Sequence, residues 1–448
     1  VASGSIAEAF RLLQCGEAQP ALMLARRVAA AEPANARAHM AIGVALRVLG
    51  DVDGSRKALE RAARLDARDY AIAYEMGATL ELTGSPEALA HFQRAAQLRP
   101  QFAPAHRALA VAHLARGHFE PAAASYEAAL ACAPGDPELA LLLAQVDLLL
   151  GRLDKGWAGY ARRAHRRHYE AQFAQQGARY RVPSLAEVAG RRVTVIGEQG
   201  LGDNLFFLRF APALRAAGAT LSFVGDERLH PLLRRTALFE ALHSDRAPHA
   251  LGESLPLLLA DLPAVDTQKA TPYAPSLRIP ADAARVDMWR RRLEDRGPRP
   301  WIGVTWRAGT PSAVLARGLS KQVPLDEVLT AVAALGGSVA ALQRDPAPGE
   351  IASASAALGR EVHDLAAIND DLEDALAVVS LLDRHVGVSN TNIHLAAAAD
   401  RTADVLVPFP PEWRWGAAGA ASPWFPGFRV LRQRADGDWR AALDALAS

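Results

Sequence analysis

Gly50-Asp-Val-Asp-Gly-Ser-Arg-Lys-Ala-Leu59-Glu-Arg-Ala62 is matched by Gly84-Ser-Pro-Glu-Ala-Leu-Ala-His-Phe92-Gln-Arg-Ala95 and by Gly117-His-Phe-Glu-Pro-Ala-Ala-Ala-Ser-Tyr126-Glu-Ala-Ala129. Each begins on a turn glycine, carries a large apolar residue (Leu59, Phe92, Tyr126) and places a small one (Ala62, Ala95, Ala129) three positions later. Outward from these, Gly16, Gly50, Gly84, Gly117 and Gly151 are spaced 34, 34, 33 and 34 residues apart. A fixed period of this length is the signature of stacked helix pairs. Gly43 and Gly77 each stand seven residues before a turn glycine, where two helices must approach closely. Pro33, Pro100 and Pro134 close repeats, because proline starts a helix but cannot continue one.

The pattern resembles the tetratricopeptide repeat, with five units over about residues 2–168 and a domain boundary at 1–168. Such repeats stack into an α superhelix whose concave groove takes extended protein segments. The resemblance therefore implies a protein partner, the alternative being that the repeats brace the next domain or form a homodimer. His39, Tyr74, His106 and His113 fall on first helices, either facing the groove or packing. The basic run Arg162, Arg163, Arg166 and Arg167, with His165 and His168, reads as a solvated helix end or a seat for an acidic partner.

Composition narrows the remaining choices. The 448 residues are 50% hydrophobic and 22% charged, with Lys+Arg 50 against Asp+Glu 49, which suits two or three folded domains and gives no global reason to expect nucleic-acid binding. Cys15 and Cys132 are too few for a disulfide framework or a zinc cluster. No apolar run reaches the roughly 18–20 residues that span a bilayer, and no basic start precedes an apolar core at the first residue, Val1. The expected location is the cytoplasm, with no transmembrane segment.

Beyond a polar bridge at 169–189 the period changes. Arg192-Val-Thr-Val-Ile196 is a β-branched run followed by Gly197-Glu-Gln-Gly-Leu-Gly-Asp-Asn204 and an apolar helical pattern from Leu205 to Ala217, then Thr220-Leu-Ser-Phe-Val224. This reads as strand, glycine loop, helix, strand. A second such half runs from Trp301-Ile-Gly-Val-Thr-Trp306 through Ser338-Val-Ala-Ala-Leu342 and His385-Val-Gly-Val388 to Asp404-Val-Leu-Val407. The expected boundaries are 190–285 and 286–448, with a cleft between two doubly wound α/β halves. Glycine loops at the carboxyl ends of parallel strands suit phosphates. Gly197-x-x-Gly200-x-Gly202 departs from G-x-G-x-x-G, and only Asp226 approaches a ribose-binding position, so a dehydrogenase is disfavoured.

The order and spacing of several motifs resemble bacterial tetratricopeptide-repeat proteins fused to a heptosyltransferase-like glycosyltransferase, with a layout similar to O-GlcNAc transferase and flagellin glycosyltransferases. The carriers are Glu198-Gln-Gly-Leu-Gly-Asp-Asn-Leu205, Trp301-Ile-Gly-Val-Thr-Trp-Arg307, Lys321-Gln-Val-Pro324, Ala341-Leu-Gln-Arg344 and Asn369-Asp-Asp-Leu-Glu-Asp374, followed by Val388-Ser-Asn-Thr-Asn-Ile-His-Leu395, Pro410-Pro-Glu-Trp-Arg-Trp415 and Ser422-Pro-Trp-Phe-Pro426. The resemblance implies a GT-B fold of two Rossmann-like halves, acceptor side first and nucleotide-sugar side second. It also implies transfer of a sugar from a nucleotide-activated donor to a hydroxyl of a protein acceptor, flagellin among them. On that reading Asp203 is the catalytic base, with Glu198 as substitute, and the alternative for Asp203 is a helix N-cap. Gly200, Gly202 and Asn204 form the phosphate loop.

Lys321 and Arg307 are the cations for the leaving phosphate, and Ser389, Asn390, Thr391, Asn392 and His394 complete the donor side. Ser389 stands where heptosyltransferases usually carry Asp, which opens the way to another donor, such as a nonulosonic acid on CMP. The aromatics of Phe409–Trp415 with Trp424 and Phe425 either stack a base or pack as a crossover. Asp370, Asp371, Glu373 and Asp374 read as a helix start rather than a metal site. The expected chemistry is inverting and metal-independent, with no cofactor beyond the nucleotide-sugar substrate. Two other functions fit the same residues: a non-catalytic repeat scaffold with a degenerate transferase domain, and a transferase acting on a glycan or lipopolysaccharide.

Overall fold

The computed structural model describes residues 2–175, 177, 179–198, 200–246, 253–265, 273–308 and 321–447. Gln176, Gln199 and Lys269 lie outside them. The chain divides into two compact units, Val1–Leu143 and Ala144–Ser448.

The first unit is a run of antiparallel helix pairs: Ala2–Gln14 with Ala18–Ala31, Ala36–Val48 with Val52–Leu65, Tyr70–Glu81 with Glu87–Leu98, and Ala103–Leu114 with Phe119–Cys132. A fifth pair, Pro137–Leu149 and Leu153–Tyr160, begins in this unit and ends in the next. These are the tetratricopeptide repeats of the N-terminal region. All five turn glycines have φ between +69° and +88°, the left-handed conformation that lets a helix end and the chain reverse. A Cβ on Gly43 would lie 2.6 Å from Leu59 Cγ, and one on Gly77 2.7 Å from Phe92 Cδ1, so both mark the close helix approach that the sequence predicts. Ala62, Ala95 and Ala129 are wholly buried at the same place in successive repeats. His39 and His106 each set Nε2 against the carbonyl of the repeat-closing proline six residues earlier, Pro33 at 3.0 Å and Pro100 at 2.8 Å. Tyr74 packs on Phe92 and Phe102. Three of the first-helix candidates thus serve the repeat itself.

The second unit holds two wholly parallel sheets. The first contains β1 (Arg192–Ile196), β2 (Thr220–Gly225), β3 (Ala241–Ser244) and β4 (Leu255–Leu258) in the order β3-β2-β1-β4. The second contains β5 (Trp301–Thr305), β6 (Ser338–Ala341), β7 (Val362–Asp364), β8 (Arg384–Val388), β9 (Asp404–Val407) and β10 (Arg429–Arg432), in the order β10-β9-β8-β5-β6-β7. Every residue of β5, β6 and β9 is buried, as parallel strands covered on both faces require. Strand order reverses between β1 and β4 and again between β5 and β8. Ligands of such sheets bind at the carboxyl ends of strands beside these reversals.

Three local expectations change. The helix expected at Leu205–Ala217 begins at Leu201 and is broken into Leu201–Phe207, a 3-10 turn at Leu208–Phe210, and Ala211–Ala216, where Pro212 starts the last piece. The second half does not end at Val407, because β10 adds an outer strand beside β9. The bridge at 169–189 is partly helical, with Ala164–Gln175 running through its start and a short helix, Leu185–Val188, closed by a Ser184–Glu187 capping box.

Candidate functional site

The loop after β1 is fixed from within. Gly197 donates its N–H to the Val224 carbonyl at 2.7 Å, and Asn204 Nδ2 donates to the carbonyls of Glu198 and Gly200, both at 2.9 Å. Gly200 is the N-cap of the helix Leu201–Phe207. Asp203 therefore sits in the first turn and is not the cap, and its Oδ1 accepts an ion-paired hydrogen bond from Arg414. Asp203 Oδ2 has no hydrogen-bond partner among the described residues, and the side chain is about one-third exposed at 32%.

Glu198 has a different part. Arg163 donates to both its oxygens, Nη2 to Oε1 at 2.5 Å and Nε to Oε2 at 2.9 Å, while the Ala260 N–H donates to Oε1 at 2.9 Å. With its side chain 1% exposed, Glu198 is a buried counter-ion, and the geometry withdraws it as substitute base. Arg163 also meets Asp261 at 2.7 Å, Arg166 reaches the same oxygen at 3.2 Å, and the Tyr180 hydroxyl donates to Asp261 Oδ2 at 2.7 Å. The solvated helix end expected at 162–168 thus turns two of its arginines inward. Burial opposes the charge on Arg163, but Glu198 and Asp261 outweigh it and hold the guanidinium protonated.

The loop after β8 faces the loop after β1. A Cβ on Gly202 would fall 3.1 Å from His394 Cδ2 and 3.7 Å from Thr391 Cα, so the absent side chain is what lets the two helix starts touch. Asn390 caps Thr391–Ala398 by accepting from the Ile393 N–H at 3.1 Å. Asn392 is buried and donates to the Leu342 carbonyl and to Asn369 Oδ1, both at 3.2 Å. His394 is buried against Phe206 and Phe425; burial, then Arg414, push its pKa well below the usual imidazole range, so the ring is neutral. Asn390, Asn392 and His394 are engaged inside the protein, whereas Ser389 opens onto a pocket.

That pocket lies at the carboxyl ends of β8 and β9 and is lined by Lys321, Ser389, Val407, Pro408, Pro410, Glu412 and Trp415. Lys321 Nζ is 2.6 Å from Glu412 Oε2, and the Ser389 hydroxyl donates to the same oxygen at 3.3 Å. Arg414 pairs with Glu412 Oε1 and with Asp203. Lys321, Glu412, Arg414 and Asp203 therefore form one chain of alternating charge from the second sheet's loops to the first's. Burial opposes ionisation of Glu412, yet Lys321 and Arg414 hold its carboxyl far below the usual carboxylate range. Glu412 carries charge and does not shuttle protons.

The aromatics of this loop pack. Trp413, Trp415, Trp424 and Phe425 are all buried, Trp415 stacks on Phe425 with centroids 4.8 Å apart, and Trp413 and Trp424 meet Phe206 edge to face. Arg209 threads this cluster, donating to the carbonyls of Phe206, Ala274 and Trp424 and to Ser276 Oγ. Burial, with a smaller contribution from Arg414, pushes Arg209 down to about 9.

Arg307 is not brought to the Glu412 carboxylate that Lys321 holds. Its guanidinium donates to Glu350 Oε1 at 2.6 Å and to the Asp345 carbonyl at 2.8 Å, beyond β6. Asp371 caps Leu372–Leu381, with Glu373 and Asp374 in its first turn and Arg235 and Arg285 as their counter-ions. Among the described residues no group of three or more His, Cys, Asp and Glu could hold a metal. Sequence reasoning missed Glu412 and Arg414. The available signal was two opposite charges two residues apart, Glu412 before Trp413 and Arg414 after it, since charges in so aromatic a run are rarely buried unless paired.

The comparisons with known proteins support the repeats. The tetratricopeptide repeat model matches residues 86–146. The chain is 29% identical over 395 residues to protein FlbA of Caulobacter vibrioides, covering 80% of this chain and 63% of that protein. It thus spans somewhat less than two thirds of the length of this curated relative. Among solved structures it is similar to MamA (18% identity, 37% of this chain and 97% of that one, TM-score 0.33) and to YrrB, a tetratricopeptide protein with an unusual peptide-binding site (19%, 36% and 84%, TM-score 0.31). The N-terminal region is built of tetratricopeptide repeats, a helical superhelix that is followed by an α/β region of parallel sheets.

Proposed function

We propose that the chain is a glycosyltransferase that moves a sugar from a nucleotide-activated donor to a hydroxyl of a protein acceptor recruited by the repeats. The observation that carries this reading is the chain of ion pairs through Arg414 and Glu412, which joins the one-third-exposed Asp203 carboxylate in the loop after β1 to the Lys321 ammonium. Asp203 Oδ2 accepts the acceptor's hydroxyl proton as the new oxygen–carbon bond forms. The bond from the anomeric carbon to phosphate oxygen breaks, and its electron pair leaves with the phosphate toward Lys321. Attack and departure on opposite faces make the reaction inverting. The Lys321 ammonium is the cation that takes up the leaving charge, and the reaction is proposed to need no metal. Flagellin is the acceptor to try first, by the resemblance of the motifs.

The test is transfer of a labelled sugar to flagellin by the wild-type chain and by Asp203→Asn, with UDP, GDP, ADP and CMP conjugates as donors. The expected result is transfer from one donor class and a loss of about 10²–10⁴-fold in the variant, the usual contribution of a general base. Unchanged transfer by a folded D203N would remove Asp203 from the mechanism.

A further inference from the structure

Glu412 holds the hydrogen-bond donors that a phosphate in this pocket would use. Its Oε2 takes Lys321 Nζ at 2.6 Å and the Ser389 hydroxyl at 3.3 Å, and its Oε1 takes Arg414. The carboxylate comes from a segment pinned by buried Trp413 and Trp415 on either side of Arg414, so it is delivered to this place by the fold. The charge chain holds two cations and two carboxylates; among the described residues beside it Ser389 is neutral and His394 is buried, while Arg209 adds one further cation, lying with Arg414 against the Phe206 ring. A singly charged anion brings no more charge to Lys321 than the carboxylate already there, whereas a diphosphate brings several and can offset the loss.

We propose that Glu412 is a selectivity gate, an anion built into the pocket that an incoming polyphosphate displaces from Lys321 and that singly charged anions cannot displace. That the polyphosphate belongs to a sugar donor rests on the function proposed above; the competition itself does not. Designed-in repulsion of this kind gives discrimination at the expense of affinity.

The probe is inorganic pyrophosphate, titrated by calorimetry into the full chain, with acetate as the singly charged comparison. Glu412→Gln keeps the shape and removes the charge. The expected result is pyrophosphate binding at least about tenfold tighter in E412Q than in wild type, with acetate binding now measurable. In a Lys321→Gln background the gain should shrink to less than about threefold, because the released cation is gone. Circular dichroism and melting establish that each variant is folded; if E412Q is not, Glu412→Asp, whose shorter side chain retreats from Lys321, carries the same test with a smaller gain. Equal or weaker pyrophosphate binding in a folded variant, or no binding to wild type and variant alike, overturns the gate. Tighter pyrophosphate binding without turnover of any nucleotide sugar upholds the gate and removes the transferase reading.

Discussion

Arg163 and Asp261, 98 residues apart in the chain, meet at 2.7 Å in the interior of the second unit, and the same guanidinium grips Glu198 in the loop that leads to Asp203. The residue that closes the helical region thereby fixes the start of the glycine loop. Arg163→Met leaves the buried Glu198 without a counter-ion and Asp261 with Arg166 alone, and a loss of about 3–5 kcal/mol is expected in urea melts of the second unit. Adding Glu198→Gln and Asp261→Asn should recover part of that loss, because it removes the stranded charges; no recovery would assign the loss to packing.

Acid should weaken the fold before most carboxylates titrate. Burial pushes His385 down to about 4, only partly offset by Asp404, and neither ring nitrogen has a hydrogen-bond partner among the described residues. The folded pKa lies below the unfolded value of about 6.5, so the unfolded chain binds the proton first and stability rises with pH. The contribution is present above about pH 6.5 and is lost as pH falls toward 4, amounting to about 3 kcal/mol. His394 acts in the same direction. Melting temperatures from pH 8 to pH 5 should fall, and His385→Leu should flatten the curve.

Gly202 is set by contact. Valine there puts two methyl groups into the His394 ring, which a Cβ alone would approach to 3.1 Å. We expect about 1–3 kcal/mol of destabilisation from overpacking and a fall in transfer of at least about tenfold, as Asp203 is turned from its line to Lys321. Gly202→Ala should be mild in both assays, and a valine variant with full activity would separate the helix contact from function.

Trp157 decides where the chain can be cut. It packs on Phe207, Phe210, Trp413 and Trp424 with centroids 5.4–6.4 Å away, although it belongs to the last repeat pair. Removing residues 1–143 should leave a cooperatively melting protein, while removing 1–160 should not, because it strips Trp157 and Tyr160 from an aromatic core. Trp157→Ala in the full chain should cost about 3–5 kcal/mol. A cooperative melt after the longer cut would show that the cluster closes without them.

The sequence alone determined the repeats, since period, turn glycine and the paired small and large positions are local and recur in every copy. It also determined most strands and both loops, because apolar runs ending in Gly197–Asn204 and Ser389–Asn392 have only one reading as parallel strands with helix starts. The tertiary structure decided what those loops hold. In sequence Glu198 reads as a substitute base and Arg163 as part of a basic helix end; only the fold, by bringing Asp261 beside them, makes them a buried triad. Glu412 and Arg414 show in sequence only as opposite charges beside tryptophans; their partners Lys321 and Asp203 are chosen by proximity in space. Asp203 lies 211 residues from Arg414, and nothing local to either records that they meet.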